Sequence, residues 1–224
     1  MAADKLLDGP RRATASGAAP SSLVVFLHGL GADGADLIAL ADPLSQVMPD
    51  SEFVSPDAPF PCDMAPVGRQ WFSLQQREPA ALLAGARSAA PYVDAFLDAE
   101  LARTGLGPER LALVGFSQGT MMSLFCALRR PQAVAGVVGF SGLLIAPEVL
   151  PAEIVSKPPV LLVHGTDDPV VPFAAMAAAE AGLRAAGVAV ESHGRPGLPH
   201  GIDPGGLQLA AQALTGWLRP SAMS

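Results

Sequence analysis

Four uninterrupted apolar runs punctuate the chain, and each stops at or near a glycine. Leu23-Val24-Val25-Phe26-Leu27 ends at His28-Gly29, and Leu111-Ala112-Leu113-Val114 ends at Gly115. Val134 to Val138 ends near Gly139, and Val160-Leu161-Leu162-Val163 ends at His164-Gly165. Continuous rather than alternating apolar positions are expected of parallel strands covered on both faces. Glu52 to Ser55 and Val188 to His193 are weaker strand candidates. Segments of helical composition lie between the runs, at Ala35 to Val47, Pro79 to Thr104, Gln118 to Arg130, Phe173 to Ala186 and Pro204 to Arg219. Strands alternating with helices predict an α/β fold with a mostly parallel central sheet flanked by helices, each strand delivering a loop at its carboxyl end. The segment Pro56 to Gln75, rich in Pro and Gly, is too long for an ordinary connection and is read as a functional loop. A Pro/Gly/Ser/Ala-rich stretch marks residues 1–22 as a lead-in, with residues 23–219 forming a single domain.

At 224 residues, one large domain with a sizeable core is expected. The hydrophobic fraction is 50%, with 14 Lys and Arg against 21 Asp and Glu for a formal charge of −7. Disorder and nucleic-acid binding are both disfavoured by that balance. Cys62 and Cys126 show no CxxC spacing, so neither a disulfide framework nor a zinc site is expected, and reduced intracellular thiols are the simpler reading. Met1 to Pro20 contains Asp4, Asp8, Arg11 and Arg12 and lacks the apolar stretch of a secretory signal, which points to a cytoplasmic protein. Val134 to Ile145 is apolar but interrupted by Gly136, Gly139, Ser141 and Gly142, short of the uninterrupted length a membrane span needs. Stable membrane insertion is therefore not expected.

The chemistry is carried by Gly115-Phe116-Ser117-Gln118-Gly119, a G-x-S-x-G sequence that follows an apolar strand and opens a helix. Glycine on both sides lets a tight strand-to-helix turn hold the Ser117 hydroxyl above the sheet. The free N–H groups of the helix start favour an oxyanion, making the Gln118 N–H a natural donor. A serine hydroxyl also needs a base and a second donor. The turn His28-Gly29-Leu30-Gly31 can aim the Leu30 N–H into the site. Chain order in this motif class is Ser, then acid, then His, which selects the loop His164-Gly165-Thr166-Asp167-Asp168-Pro169 for the acid. Asp168 is preferred, because Pro169 extends the residue before it while Asp167 can cap the turn. His28 and His164 precede the acid and His193 falls in a strand candidate, which leaves His200 as the base. Phe60, Met64, Trp71, Phe72, Leu74, Leu143, Leu144 and Val170 come from loops expected at the same sheet edge and are candidate lining of an acyl pocket, although apolar loop residues also pack routinely on a core.

Taken together these segments resemble the bacterial carboxylesterase and acyl-protein thioesterase family of α/β-hydrolases, from about Leu23 to Trp217. His28-Gly29-Leu30-Gly31 with Asp33-Gly34 is similar to that family's oxyanion turn, and Pro56-Asp57-Ala58-Pro59 followed by Trp71-Phe72 is similar to its substrate loop. The elbow including Gln118, the segment Ser141-Gly142-Leu143, His164-Gly165 through Asp168-Pro169 to Val171-Pro172, and His200-Gly201 match in order and spacing. Ser73 stands where an acidic residue often follows the aromatic pair, and Thr120 where a glycine is common after the elbow. The resemblance implies an α/β-hydrolase fold without a large cap domain, and a serine carboxylesterase for short to medium acyl chains. An acyl-protein thioesterase or a lysophospholipase would use the same residues, and a non-catalytic ligand-binding protein on the same fold is the rival from another class. No cofactor and no metal are implied. The partner implied is a small-molecule ester or thioester, with association into a homodimer left open.

Overall fold

The computed structural model describes residues 6–219, so residues 1–5 of the lead-in lie outside the described residues. In chain order the elements are β1 (Arg11–Arg12), β2 (Ser22–Leu27), α1 (Gly34–Ile38), α2 (Ala41–Val47), β3 (Ser51–Val54), β4 (Phe60–Pro61), β5 (Arg69–Gln70), α3 (Pro79–Thr104), β6 (Leu111–Phe116), α4 (Gln118–Ala127), β7 (Gly136–Phe140), α5 (Leu150–Glu153), β8 (Val160–Gly165), α6 (Ala174–Ala185), β9 (Val190–Arg195) and α7 (Pro204–Trp217). Seven strands form one sheet in the order β1-β3-β2-β6-β7-β8-β9. All its pairings are parallel except the edge, where β1 runs antiparallel to β3. The stretch read as a lead-in thus contributes an edge strand.

Every residue of β2 is buried, as the unbroken apolar run requires. Side chains alternate between two cores: Leu23, Val25 and Leu27 join the face covered by α3, α4 and α6, and Val24 and Phe26 join the face covered by α1, α2 and α7. The expected helix from Ala35 to Val47 divides in two, because Pro43 lacks an N–H and is best accommodated in the first turn of a new helix, α2. The strand expected at Val134 to Val138 lies two residues later. Its pairing starts at Gly136 opposite Ala112, and a side chain at Gly136 would run into the Trp217 ring, 2.1 Å from an ideal Cβ.

Helix α3 is 26 residues long and ends where Gly105 takes a φ of 70°. Its Glu100 is buried and accepts from the Arg11 guanidinium at 2.6 Å on both oxygens, while Arg103 bridges Glu100 and Glu52. Burial pushes the Glu100 carboxyl up, but the Arg11 and Arg103 hydrogen bonds together outweigh it and hold the group below its ordinary value. This network ties the antiparallel edge to the longest helix.

Helix α4 is buried along its whole length, between the sheet and α3. Its approach to β2 is closer than any side chain permits: an ideal Cβ at Gly119 would stand 1.7 Å from the Leu27 carbonyl oxygen. Gly119→Ala is expected to cost about 3 kcal/mol by overpacking, lowering Tm in thermal unfolding by roughly 6–12 °C. An unchanged Tm would mean that α4 can move away from β2 freely.

Candidate active site

At the carboxyl end of β6 the chain passes through Ser117 with a φ of 54° and ψ of −114°, a conformation that L residues rarely adopt. The turn is held by the Ser117 N–H donating to the Phe140 carbonyl at 2.9 Å. Thr120 Oγ1 lies 2.8 Å from both the Gly115 and Phe140 carbonyls and can donate to either. A threonine here, where a glycine was expected from the resemblance, is accommodated by glycines opposite. Ideal Cβ atoms at Gly139 and Gly142 would meet its side chain at 2.6 and 2.4 Å.

The loop after β8 carries Asp168, whose side chain is fully buried. One oxygen, Oδ1, accepts the Val170 and Val171 N–H groups at 2.8 and 2.9 Å, and the other, Oδ2, faces His200 Nδ1 at 2.7 Å. Burial raises the Asp168 pKa, yet the His200 hydrogen bond and the two backbone N–H groups together bring it below the usual carboxylate value. Asp167 is exposed and accepts from Thr166 Oγ1 instead. His200 reaches the acid because the end of β8 has no side chain: an ideal Cβ at Gly165 would lie 2.2 Å from the Leu198 carbonyl oxygen and 2.6 Å from that of Pro199. The His200 ring tilts against Phe116, 4.8 Å between centroids. Behind it, Asp203 caps α7 by accepting from the Gly206 N–H and pairs with Arg195, so both ends of the His200 loop are tied down.

Ser117 and His200 line the same cavity of about 370 Å³. No direct hydrogen bond joins them, and such contacts commonly tighten only when substrate is bound. Leu30 also lines the cavity, and neither its N–H nor that of Gln118 finds an acceptor among the described residues.

Two buried histidines set aside in the sequence reading belong to this arrangement. His164 Nε2 lies 2.9 Å from the Val171 carbonyl and 3.2 Å from Asp168 Oδ2. A carbonyl only accepts, so Nε2 carries the proton and can share it with the carboxylate. The available signal was its position four residues before Asp168 at a strand end. His28 is locked the other way round. Its Nε2 accepts the Ala58 N–H at 3.0 Å, which places its proton on Nδ1, donated to the Gly29 carbonyl at 2.8 Å. Burial lowers the His28 pKa.

The long loop departs from expectation. Its short hairpin, β4 with β5, packs behind the turn that bears Leu30: the Gly31 N–H donates to the Arg69 carbonyl and the Arg69 N–H to that of Ala32, each at 2.8 Å. Of the eight pocket candidates, Leu74, Leu143 and Val170 line the cavity, and Phe60, Met64, Trp71, Phe72 and Leu144 do not. Phe60 meets the Tyr92 ring edge-on, 5.6 Å between centroids, and Met64 is exposed. Leu144 and Phe72 are buried in the core beneath α6 and α3, with Phe72 against Gly85. Trp71 has no exposed surface; its indole N–H donates to the His28 carbonyl at 2.9 Å and its backbone N–H to Gln118 Oε1 at 3.0 Å. A polar handle and a large ring are better satisfied inside than on a cavity wall. Leu82, Met121 and Ala175 supply the wall that was not foreseen. They lie on helices, where an apolar residue facing a cavity carries the same pattern as one facing the core.

Trp71→Ala is therefore expected to destabilise the fold by about 3–5 kcal/mol, seen as a Tm lower by roughly 10 °C or more; a Tm within a degree of the parent would remove Trp71 from the scaffold. His28 gives a pH dependence of defined sign. Its folded pKa is depressed, so the unfolded chain binds the proton more tightly. The stability it carries is complete above the unfolded pKa of about 6.5 and is lost as pH falls from there towards the folded value. Urea unfolding of the parent between pH 7.5 and 5.5 should lose stability faster than that of His28→Asn, by at most about 1.4 kcal/mol per pH unit. Parallel pH curves for the two proteins would show that His28 does not titrate with folding.

The sequence and the fold are similar to those of known proteins. The phospholipase/carboxylesterase family profile matches residues 11–218. Esterase YpfH of Escherichia coli is 30% identical over 199 residues, covering 86% of this chain and 81% of that protein. Acyl-protein thioesterase 1 of Schizosaccharomyces pombe is 32% identical over 165 residues, covering 69% of this chain and 71% of that protein. Among solved structures, that of esterase PE8 superposes with a TM-score of 0.91 at 46% identity, over 96% of this chain and 100% of that one. A hydrolase sheet, an elbow serine and these relatives lead to one assignment: the chain belongs to the phospholipase/carboxylesterase family of α/β-hydrolases.

Proposed function

We propose that this protein hydrolyses carboxylic esters of short to medium acyl chains through an acyl-enzyme on Ser117. The observation that carries the reading is the buried Asp168–His200 pair at 2.7 Å, opening onto the same cavity as a serine on a strained elbow. In the proposed cycle His200 Nε2 takes the Ser117 proton as Oγ adds to the ester carbonyl. The tetrahedral oxyanion is met by the Leu30 and Gln118 N–H groups, which have no competing acceptor. Collapse breaks the C–O bond, and the alcohol leaves with the proton held on His200. Water then repeats the sequence on the acyl-enzyme and releases the acid. Asp168 accepts the Nδ1–H throughout, fixing the tautomer that leaves Nε2 free to act as base. His164 is a positioning residue in this scheme, because its shared proton holds Oδ2 in place.

Thioesters are the second reading, favoured by the relative named as an acyl-protein thioesterase; the same groups would serve, and rates on matched esters and thioesters separate the two. The non-catalytic rival has no use for a serine held at φ 54°. Among the described residues no helix is long and apolar enough to cross a membrane. The reading is of a cytoplasmic enzyme acting on small esters, with every proposed group supplied by one chain, so that a homodimer is not needed for activity.

Ser117→Ala should lower ester hydrolysis by on the order of 10⁴-fold or more and abolish labelling by a fluorophosphonate probe, with Tm retained. Asp168→Asn should be far more damaging than Asp167→Asn, because only the former faces His200. Full turnover by Ser117→Ala, or the reverse order of the two acids, would overturn the assignment. On a series of p-nitrophenyl esters from acetate upward, Trp71→Ala should lower rates by one common factor, as befits a brace rather than a wall.

A further inference from the structure

The cavity holding Ser117 has one charged side chain in its lining whose role the proposed chemistry leaves unexplained, Arg77. It follows the long loop and precedes α3, exposed at the rim. Its guanidinium makes one long hydrogen bond, from Nε to the Leu74 carbonyl at 3.4 Å. Among the described residues no carboxylate lies within 4.0 Å of it, whereas eight other arginines of the chain are ion-paired. Glu78, next in sequence, is exposed at the start of α3 and forms no ion pair with it. No acidic residue lines the cavity, and its apolar lining includes Leu74, Leu82, Met121, Leu143 and Val170. An arginine is charged at every working pH and presents a planar fork matched to carboxylate or phosphate. In a chain of net charge −7, an unpaired cation at the rim of an apolar pocket is a local reversal of sign.

We propose that Arg77 is an anion-binding subsite of the ester pocket, selecting substrates that carry a carboxylate or phosphate group a few carbons from the scissile ester, with the intervening methylenes against the apolar wall. The inference rests on Ser117 being the nucleophile. The anion could sit on the acyl side or on the alcohol side, and matched pairs separate these. Mono-p-nitrophenyl glutarate against p-nitrophenyl valerate tests the acyl side. The butyryl ester of glycerol 3-phosphate against that of glycerol tests the alcohol side.

In at least one pair the parent enzyme should show an anionic-to-neutral ratio of kcat/KM that exceeds that of Arg77→Gln by about fivefold, the magnitude of an exposed ion pair. The difference should lie mainly in KM, and Arg77→Glu should push the ratio lower still. Any effect of Arg77→Gln on the pocket wall itself enters both members of a pair and cancels in the ratio. Raising salt should shrink the parent's ratio towards that of the variant, a measurement that needs no variant to fold. Equal ratios in parent and variants for both pairs, or a ratio indifferent to salt, would overturn the subsite. Failure of the parent on all four esters, anionic and neutral alike, would instead overturn the esterase reading on which it rests.

Discussion

Gly119 at the start of α4 lies against the Leu27 carbonyl at the end of β2, leaving no room there for a side chain. The placement of the Ser117 turn depends on this contact. It brings the N-terminus of α4 beside the turn that follows β2, so the Gln118 and Leu30 amides approach one region from two elements. It also leaves no path for the chain between β6 and α4 other than a sharp reversal, and Ser117 takes the unfavourable φ of 54° as a result. Strain of this kind, of order 1–3 kcal/mol, persists only where surrounding structure over-determines it. Here the Phe140 carbonyl and the Thr120 hydroxyl do so.

The same dipeptide stands at the carboxyl end of two strands, His28-Gly29 directly after β2 and His164-Gly165 closing β8, and both histidines are buried. Gly165 admits backbone that a side chain would exclude, and Gly29 packs tightly against the Phe116 ring. Each ring is fixed by its hydrogen bonds, His28 Nε2 accepting from the Ala58 N–H and His164 Nε2 donating to the Val171 carbonyl beside Asp168. The burial that keeps His28 neutral is what makes its ring usable as an acceptor. The acid at the end of β8 is consequently surrounded by donors on both oxygens, which explains how a fully buried carboxylate stays ionised.

The fold and the triad candidates were legible because they depend on short-range rules. Unbroken apolar runs marked the buried strands, and glycine spacing marked the elbow. Chain order with Pro169 separated Asp168 from Asp167, and the structure turns only Asp168 towards His200. The pocket wall was not legible. Trp71 and Phe72 are large, apolar and placed in a loop beside the site, features shared by a wall residue and by a brace. What separates them is the indole bond to the His28 carbonyl and the clasp of Gln118 on both Trp71 and Phe72, contacts made across more than forty residues. Likewise the break between α1 and α2 was available from Pro43, whereas the edge strand at Arg11–Arg12 depends on a partner and on the Glu100 pair that no local pattern encodes.

The hairpin packed behind the Leu30 turn divides labour between segments. Residues that hold the Leu30 turn in place come from one part of the chain, and much of the apolar cavity wall comes from others: Leu74, Leu82, Leu143, Val170, Val171, Pro172 and Ala175. None of these wall residues takes part in the hydrogen bonds by which the hairpin holds the Leu30 turn. Such a scaffold is modular: the wall and the backbone frame around Ser117 answer to different residues, the frame to glycines at which a side chain would collide with neighbouring backbone.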